Sequence, residues 1–157
     1  MSINFSDTTP AAPGSNVNVK WQTDVSGNVS AYTASGGITG APEALGVVID
    51  GGASVPPTGS KGFIQIPYNC TITGWTMLAN TSGSAQITVK KSTYAGFPST
   101  SSIVASAPPN LSGAQKATST TLTGWTTTIN LGDILEYNLD SAATVTRVVL
   151  QLLVTRS

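Results

Sequence analysis

The C-terminal stretch "TVTRVVLQLLVTR" (144–156) constrains the fold more than any other part of this sequence. Its apolar residues recur with a period of two, which suits an extended strand and not a helix. One face mixes apolar residues with Arg147 and Gln151, and the other is wholly apolar, as in a central strand of a β-sandwich. The apolar face consists of Val148, Leu150, Leu152 and Val154. The preceding "DILEYNL" predicts a partner strand, and "DSAA" (140–143) predicts the hairpin turn between the two.

The remainder of the chain contains no segment with the period of an amphipathic helix. Thr, Val, Ile, Gly and Pro are frequent throughout, and these residues favour strands and turns. Four further strands are predicted, at 62–66, 71–79, 85–91 and 120–129. The long connection between the last two has room for one short strand, near Ile103-Val104. We therefore predict an all-β fold, an antiparallel, jelly-roll-like β-sandwich.

The first third of the chain differs in composition from the rest. Residues 1–35 begin with the Pro-containing stretch "FSDTTPAAPG" and continue into a pattern that predicts a small hairpin over 17–33. Residues 36–60 are rich in Gly and Pro and predict a linker around one short strand, "VVI". The predicted organisation is an N-terminal arm with a hairpin (1–35), a linker (36–60) and a β-sandwich body (61–157).

Charge is scarce and balanced. Only 9% of the residues are charged, seven basic and seven acidic residues cancel, and the chain contains no histidine. Phosphate binding in nucleic acids requires clustered Lys and Arg, yet the only adjacent basic pair is Lys90-Lys91. No basic amphipathic segment indicates a membrane surface. We therefore expect neither nucleic acid nor a membrane as partner. The single cysteine, Cys70, is predicted to be a buried and inert thiol.

The candidates for catalytic chemistry are few. Without histidine, Ser-His-Asp and Cys-His arrangements and the usual zinc sites cannot be built. Glycoside hydrolysis needs only two facing carboxylates. However, Asp24, Asp50 and Asp140 occupy turn-like contexts, and Asp133 follows Gly132 at the start of a strand, which is again a turn context. Glu136 points outward from that strand, on the face opposite Asp133. We predict that the protein is not an enzyme and that it holds no cofactor or metal.

A short phrase occurs twice, as "TITGWTML" (71–78) and as "TLTGWTTT" (121–128). In the first copy, strand alternation places Trp75 and Met77 on one face and Ile72 on the other, so Trp75 is predicted to be in the core. In the second copy, Thr residues flank Trp125, and we expect its ring to be half exposed. Packing in the core or between subunits is the favoured role of the repeat, with sugar stacking left open for Trp125.

Three segments together resemble a known group of proteins. "PGSNVNVKWQTDVSGNVSAY" resembles the N-terminal segment of bacteriophage structural proteins. "GFIQIPYNCTITGWTMLANTSGSAQITVKKSTYAGFP" and "LTGWTTTINLGDILEYNLDSAATVTRVVLQLLVTR" resemble a β-sandwich domain that recurs in phage virion proteins, including small head or tail appendages and tail fibres. The resemblance covers most of residues 14–157 and brings no catalytic residues with it. It implies a surface-exposed, trimeric component of a phage particle.

This resemblance leads to a structural role as the first expectation. We expect a capsid-decoration or tail-appendage protein that contacts other virion proteins through its N-terminal arm. The attachment residues would be the aromatic residues of that arm, Phe5, Trp21 and Tyr32. The N-terminus "MSINFSDTTPAAPG" has no signal-peptide pattern, so we expect synthesis in the host cytoplasm and a final location on the virion surface.

The alternative expectation is a tail-fibre or tail-tip protein that binds a glycan on the host surface. Its candidate contact residues are Tyr94 and Phe97, in the connection "STYAGFPST", together with Trp125. The same three residues could instead form a contact between subunits. A simpler possibility for the connection is that "YAGFP" covers one end of the sandwich core.

Overall fold

A computed structural model describes residues 17–23, 29–35 and 42–157, and the chain divides into two units, Met1–Thr39 and Gly40–Ser157. In the first unit, β1 (Val17–Thr23) pairs antiparallel with β2 (Val29–Ser35) in a two-stranded sheet. The hairpin predicted over 17–33 is therefore confirmed.

The second unit is one eight-stranded antiparallel sheet, and no helix occurs among the described residues. The order β3-β10-β5-β9-β4 forms its main path, while β6, β7 and β8 each pair with β5. The strands are β3 (Pro42–Asp50), β4 (Gly59–Gln65), β5 (Cys70–Ser92), β6 (Ser101–Ser102), β7 (Asn110–Ser119), β8 (Thr128–Ile129), β9 (Ile134–Ala143) and β10 (Arg147–Arg156). The sheet curls around a common core, which confirms the predicted all-β, antiparallel sandwich.

The 23-residue strand β5 organises the whole sheet. Its first half, residues 70–79, pairs with β10, and its second half, residues 84–92, pairs with β9. Between the halves, a Cβ atom on Gly83 would lie 2.5 Å from the carbonyl oxygen of Ala143. Only glycine allows the backbones to approach this closely where the strand passes from one half of the sheet to the other. The strands predicted at 71–79 and 85–91 are therefore one continuous strand.

The core lies between the two halves of the curled sheet. In the first half, Trp75 faces Leu152 and Met77 faces Leu150, and all four side chains are buried. The second half adds Ile87, Val89, Leu135, Tyr137 and Leu139, each at most 2% exposed. Burying one such aliphatic side chain contributes about 1.5–3 kcal/mol, so the second unit has a substantial core of its own.

A β-bulge corrects the face assignment in the first half of β5. Leu153 of β10 pairs with Gly74, but the next residue, Val154, pairs with Ile72, which leaves Thr73 without a partner. The extra residue shifts the alternation by one position. Ile72 consequently shares the buried face with Trp75, and its predicted placement on the opposite face is wrong.

The C-terminal strand agrees with its sequence pattern, but its predicted partner does not. The four predicted core residues of β10 are each at most 1% exposed, Val148, Leu150, Leu152 and Val154. The predicted hairpin turn at 140–143 is wrong because β9 continues through Ala143. The two strands are not paired with each other, since β5 lies between them in the sheet. β10 pairs with the first half of β5, and β9 pairs with its second half.

Two other predicted segments are also corrected. The linker predicted over 36–60 contains β3, which pairs with β10 along its whole length and buries Leu45 and Ile49. In the strand predicted over 120–129, only Thr128–Ile129 is extended and paired. The connection predicted to hold one short strand near Ile103-Val104 contains the two-residue strand β6 directly before these residues, and it also contains the ten-residue strand β7. The hydroxyl-rich β7 lacks the apolar alternation that sequence patterns detect.

The repeated Thr-x-Thr-Gly-Trp phrase adopts two different conformations. In the first copy, Gly74 lies inside β5, where a Cβ atom would be 2.8 Å from the carbonyl oxygen of Ser119. In the second copy, Gly124 has a φ of 76°, and the Trp125 amide donates to the carbonyl of Leu122 at 3.1 Å. In the first copy, glycine allows two backbones to approach closely, and in the second it allows the left-handed conformation of a turn.

Candidate functional site

The outer face of the second half of the sheet carries a concentrated set of polar side chains. Ile87 and Val89 of β5 and Leu135 and Tyr137 of β9 point into the core, so the residues between them point outward. We refer to these outward residues as the polar face, Gln86, Thr88, Lys90, Glu136, Asn138 and Asp140. Except for Glu136, each is partly exposed, so the polar face is accessible to a ligand.

Asp140 is the centre of a hydrogen-bond network on this face. Thr88 Oγ1 donates to Asp140 Oδ2 at 2.7 Å, and Gln86 Nε2 donates to the same oxygen at 3.4 Å. Asn138 Nδ2 donates to Asp140 Oδ1 at 2.7 Å. A β-bulge creates this arrangement, because Gln86 pairs with Ser141 while the next residue of β5 pairs with Leu139, which leaves Asp140 between them. Bulges commonly re-aim a side chain in this way.

The connection after β5 covers one end of the polar face. The amides of Gly96 and Phe97 both donate to the carbonyl of Thr93 at 3.1 Å, which closes a tight turn. The Phe97 ring then meets the Phe63 ring of β4 edge to face, with ring centroids 5.0 Å apart and planes at 88°. This geometry is favourable for an aromatic pair. Thr100 completes the covering by donating a hydrogen bond to Glu136 Oε2.

Three aromatic side chains of this region face solvent, and we call them the aromatic rim, Phe63, Tyr94 and Phe97. Their exposed fractions are 52%, 74% and 41%, respectively. Phe63 is the strand partner of Glu136, so the rim borders the polar face directly. The rim and the polar face together form the candidate site.

Glu136 lies beneath this covering as a buried carboxylate. Burial alone would raise the pKa of Glu136, but hydrogen bonds from Thr100 and Ser60 and the nearby Lys90 ammonium lower it below its ordinary value. Lys90 Nζ lies 3.6 Å from Glu136 Oε1. Glu136 therefore remains ionised and holds the end of the loop on the sheet.

The remaining carboxylates named in the sequence analysis have structural contacts. Asp133 Oδ2 accepts from the Asn130 amide at 2.9 Å and from Lys91 Nζ at 3.0 Å, so its predicted turn role is confirmed. Asp50 likewise accepts from the Gly52 amide at 2.8 Å. Asp140 lies inside β9 and not in a turn, so that prediction is wrong. Glu136 is on the outer face as predicted, and Asp24 lies outside the described residues.

The structure separates the three residues predicted to contact a glycan. Tyr94 and Phe97 lie in one exposed loop, but Trp125 is only 9% exposed, and its Nε1 donates to the Ala107 carbonyl at 3.0 Å. The expectation of a half-exposed Trp125 ring is wrong because the turn at Gly124 directs the ring inward. Phe63 was missed, although alternation in the strand predicted over 62–66 places it on the face of Gln65, opposite Ile64 and Ile66.

The residues predicted for attachment fall in the first unit. Trp21 lies in β1 opposite Ala31, and Tyr32 lies in β2 opposite Lys20. Phe5 lies outside the described residues. The attachment role of all three therefore stays a prediction.

Other reactive or ligating groups are sparse in the second unit. Cys70 is 1% exposed, and burial raises the pKa of its thiol, which confirms the predicted buried cysteine. No group of three His, Cys, Asp or Glu side chains that could hold a metal ion occurs in the part of the chain that the structure describes. Within that same part, no helix is long and apolar enough to cross a membrane.

A second surface feature lies on the other half of the sheet. A shallow groove of about 350 Å³ is lined by Thr76, Leu78, Lys116, Ala117 and Thr118 of β5 and β7. Its lining is mainly apolar, and it shares no residue with the polar face or the aromatic rim. A ligand that is specific for the candidate site should therefore not bind in the groove, so the groove provides a control surface on the same protein.

No protein-family model, no curated protein and no solved structure matches this chain. The geometry of the chain and the resemblance in its sequence are therefore the grounds for proposing a function.

Proposed function

We propose that this chain is a non-enzymatic structural protein of a bacteriophage particle, a surface-exposed decoration or appendage attached through its N-terminal residues 1–35. The observation that carries the proposal is the division of the chain into two units, of which the second has a core of its own. A second unit with its own core does not require the N-terminal unit for folding, which supports a separate attachment role for residues 1–35.

The two-stranded sheet of the first unit supports an attachment role. β1 and β2 contain seven residues each, and an isolated two-stranded hairpin is marginally stable in water. Such a hairpin gains stability when it packs against a further surface. Trp21 and Tyr32 lie on its strands, and burial of an aromatic side chain at an interface contributes about 1.5–3 kcal/mol before ordering costs.

The second unit suits exposure on a particle surface. Its polar surface is built largely from Thr, Ser, Asn and Gln, and its few charges are mostly paired, as for Lys90 with Glu136 and Arg147 with Asp50. The sequence resemblance to phage virion proteins supplies the kind of particle and the proposed trimeric state. Charge-poor, hydrogen-bonded surfaces of this kind depend little on ionic strength.

Particles assembled without this protein provide the test. We expect the full-length chain to bind such particles, and a chain lacking residues 1–35 to remain folded and β-rich by circular dichroism but fail to bind. A third chain, with Trp21→Ala and Tyr32→Ala in the full-length background, should bind more weakly than the wild type. The copy number of the protein in wild-type particles then separates the two roles. A decoration protein is present in about as many copies as the shell subunits, and a tail appendage in far fewer.

Each outcome of this test has a distinct meaning. If the truncated chain binds as well as the full chain, the N-terminal unit is not the anchor. If neither chain binds and the wild-type particle lacks the protein, the structural role itself is wrong.

A further inference from the structure

We propose that the polar face and the aromatic rim form one binding site for a neutral carbohydrate. This inference does not depend on how, or to what, the first unit attaches. It rests on five features of the described residues, namely exposed rings, oriented hydrogen-bonding groups, the dimensions of the face, local charge and rigidity.

The exposed rings supply the apolar half of sugar recognition. A pyranose ring presents C–H groups on its faces, and these pack against the faces of aromatic side chains. Phe63 and Phe97 remain 52% and 41% exposed although they contact each other, and Tyr94 in the same loop is 74% exposed. Three large rings left open to water within one small region are costly to hydrate, which favours a ligand that covers them.

The polar face supplies hydrogen-bonding groups of both kinds. Asn138 and Gln86 each donate one side-chain N–H to Asp140, and among the described residues their amide oxygens and remaining N–H groups have no other partner, so a ligand can reach them. The Thr88 hydroxyl also donates to Asp140, which leaves its lone pairs as acceptors. Sugar hydroxyl groups both donate and accept, so a face with both functions matches them better than one with a single function.

The dimensions of the face suit a sugar. Glu136, Asn138 and Asp140 alternate along β9 on the same side of the sheet, and the strip from the first to the last is about 13 Å long. The aromatic rim lies at the Glu136 end, because Phe63 is the strand partner of Glu136. A sugar ring stacked on the rim can therefore extend its hydroxyl groups, or a second ring, along the strip.

The local charge selects against acidic sugars. Two carboxylates, Glu136 and Asp140, lie on the face with one ammonium group, Lys90, which is already paired with Glu136. The carboxylate of a sialic or uronic acid would approach the Asp140 carboxylate, and the Lys90 ammonium of this face is already engaged by Glu136. A neutral sugar avoids this repulsion and can accept or donate at every position.

The side chains of the site are held in place before any ligand binds. Asp140 receives three hydrogen bonds, and the loop that carries Phe97 is closed by its own turn and by the Thr100–Glu136 contact. A preformed site loses less conformational entropy on binding than a flexible one. This rigidity distinguishes the face from a set of polar residues that merely point to solvent.

The test uses the full-length, ¹⁵N-labelled protein in NMR titrations with methyl glycosides of glucose, galactose, mannose and N-acetylglucosamine. Methyl glycosides of N-acetylneuraminic acid and glucuronic acid form the acidic arm. We expect at least one neutral glycoside to shift amide signals in residues 93–100 and 136–140, and both acidic glycosides to bind more weakly. Phe97→Leu, which keeps apolar bulk but removes the ring, should weaken binding about tenfold, and Asn138→Ala should weaken it by a similar factor.

Leu78→Ala is the matched control, because Leu78 is also exposed, at 43%, but belongs to the groove on the other half of the sheet. This variant should bind sugar as the wild type does. A second ring variant, Phe63→Ala, tests the same rim from a different strand, and its thermal midpoint shows whether it remains folded.

Several results would overturn the proposal. The first is that none of the neutral glycosides shifts signals of the site at concentrations of tens of millimolar. The second is that shifts map to the groove around Leu78 instead. The third is that acidic glycosides bind more tightly than neutral ones. Finally, if the signals of residues 93–100 move on dilution of the protein alone, the rim is a contact between copies of the chain.

Discussion

Replacement of Trp125 by Ala tests the structure most directly, because the sequence pattern and the three-dimensional environment predict different outcomes. The flanking Thr residues predict a half-exposed ring, whose removal would cost less stability than removal of the core residue Trp75. The structure buries Trp125 to 9% exposure against the core, and its Nε1 donates to Ala107 at 3.0 Å. We therefore expect a large loss of stability.

The magnitude follows from area and from the hydrogen bond. A buried Trp removes roughly 150–250 Å² from water, which corresponds to about 4–6 kcal/mol as an upper estimate. Measured Trp→Ala losses in cores lie at about 3–5 kcal/mol, and we expect Trp125→Ala to fall in that range. Trp75→Ala should cost a similar amount, since Trp75 is 8% exposed.

A milder substitution separates packing from hydrogen bonding. Trp125→Phe keeps most of the apolar contact but removes the donor to Ala107. Ala107 is exposed, so water can satisfy its carbonyl in the variant. We expect a loss of about 1 kcal/mol from the hydrogen bond, with a further contribution from the smaller ring.

Urea denaturation at 25 °C, followed by far-UV circular dichroism, measures these differences. Tyr94→Ala is the control, because this ring is 74% exposed and its removal should change the free energy of unfolding by less than about 0.5 kcal/mol. A loss below about 1 kcal/mol for Trp125→Ala, with an unchanged urea dependence, would refute the buried placement of this ring.

Two further predictions concern the backbone and the acid sensitivity of the second unit. Gly83→Ala should lower the free energy of unfolding by about 1–3 kcal/mol, because the new Cβ would lie 2.5 Å from the Ala143 carbonyl oxygen. Ser82→Ala in the same strand is the control. Equal urea midpoints for the two variants would contradict the close approach of the two backbones. The folded-state pKa of Glu136 lies below its ordinary value of 4.5, so its stabilising contribution is complete above about pH 4.5 and is lost as the pH falls through the folded-state pKa. Glu136→Gln should therefore make thermal stability less dependent on pH below about 4.5, and parallel curves for wild type and variant would show that this carboxylate is not responsible.

The phase of alternation explains which sequence predictions failed in the sheet. Reading a strand from its sequence assumes an uninterrupted period of two. The bulge at Thr73 inserts one residue and moves Ile72 to a face that the simple pattern does not give. The bulge at Asp140 leaves this residue without a strand partner, and it accepts hydrogen bonds from both Gln86 and Thr88 of β5. Ile72 enters the core because of its bulge, whereas simple alternation along β9 already places Asp140 on the polar face with Asn138.

In the candidate site as well, some features follow from the sequence and others only from the folded sheet. The exposure of Tyr94 and Phe97 could be anticipated from their loop, which is rich in turn residues. Their proximity to Phe63 could not, because it depends on a contact between residues 34 positions apart that only the folded sheet creates. The network of Asp140 likewise depends on residues from two strands more than 50 positions apart.

The sequence by itself determined the all-β class, the buried face of β10, the buried cysteine and the hairpin of the first unit. These features depend on local preferences and on periodicity within a single segment. Tertiary structure decided the 23-residue length of β5, the inclusion of β3 in the sheet and the two conformations of the repeated Gly-Trp phrase. The physical reason is that backbone pairing and close packing are satisfied between distant segments. The same residues, Thr-x-Thr-Gly-Trp, therefore form a strand against β10 in one place and a turn over the core in the other.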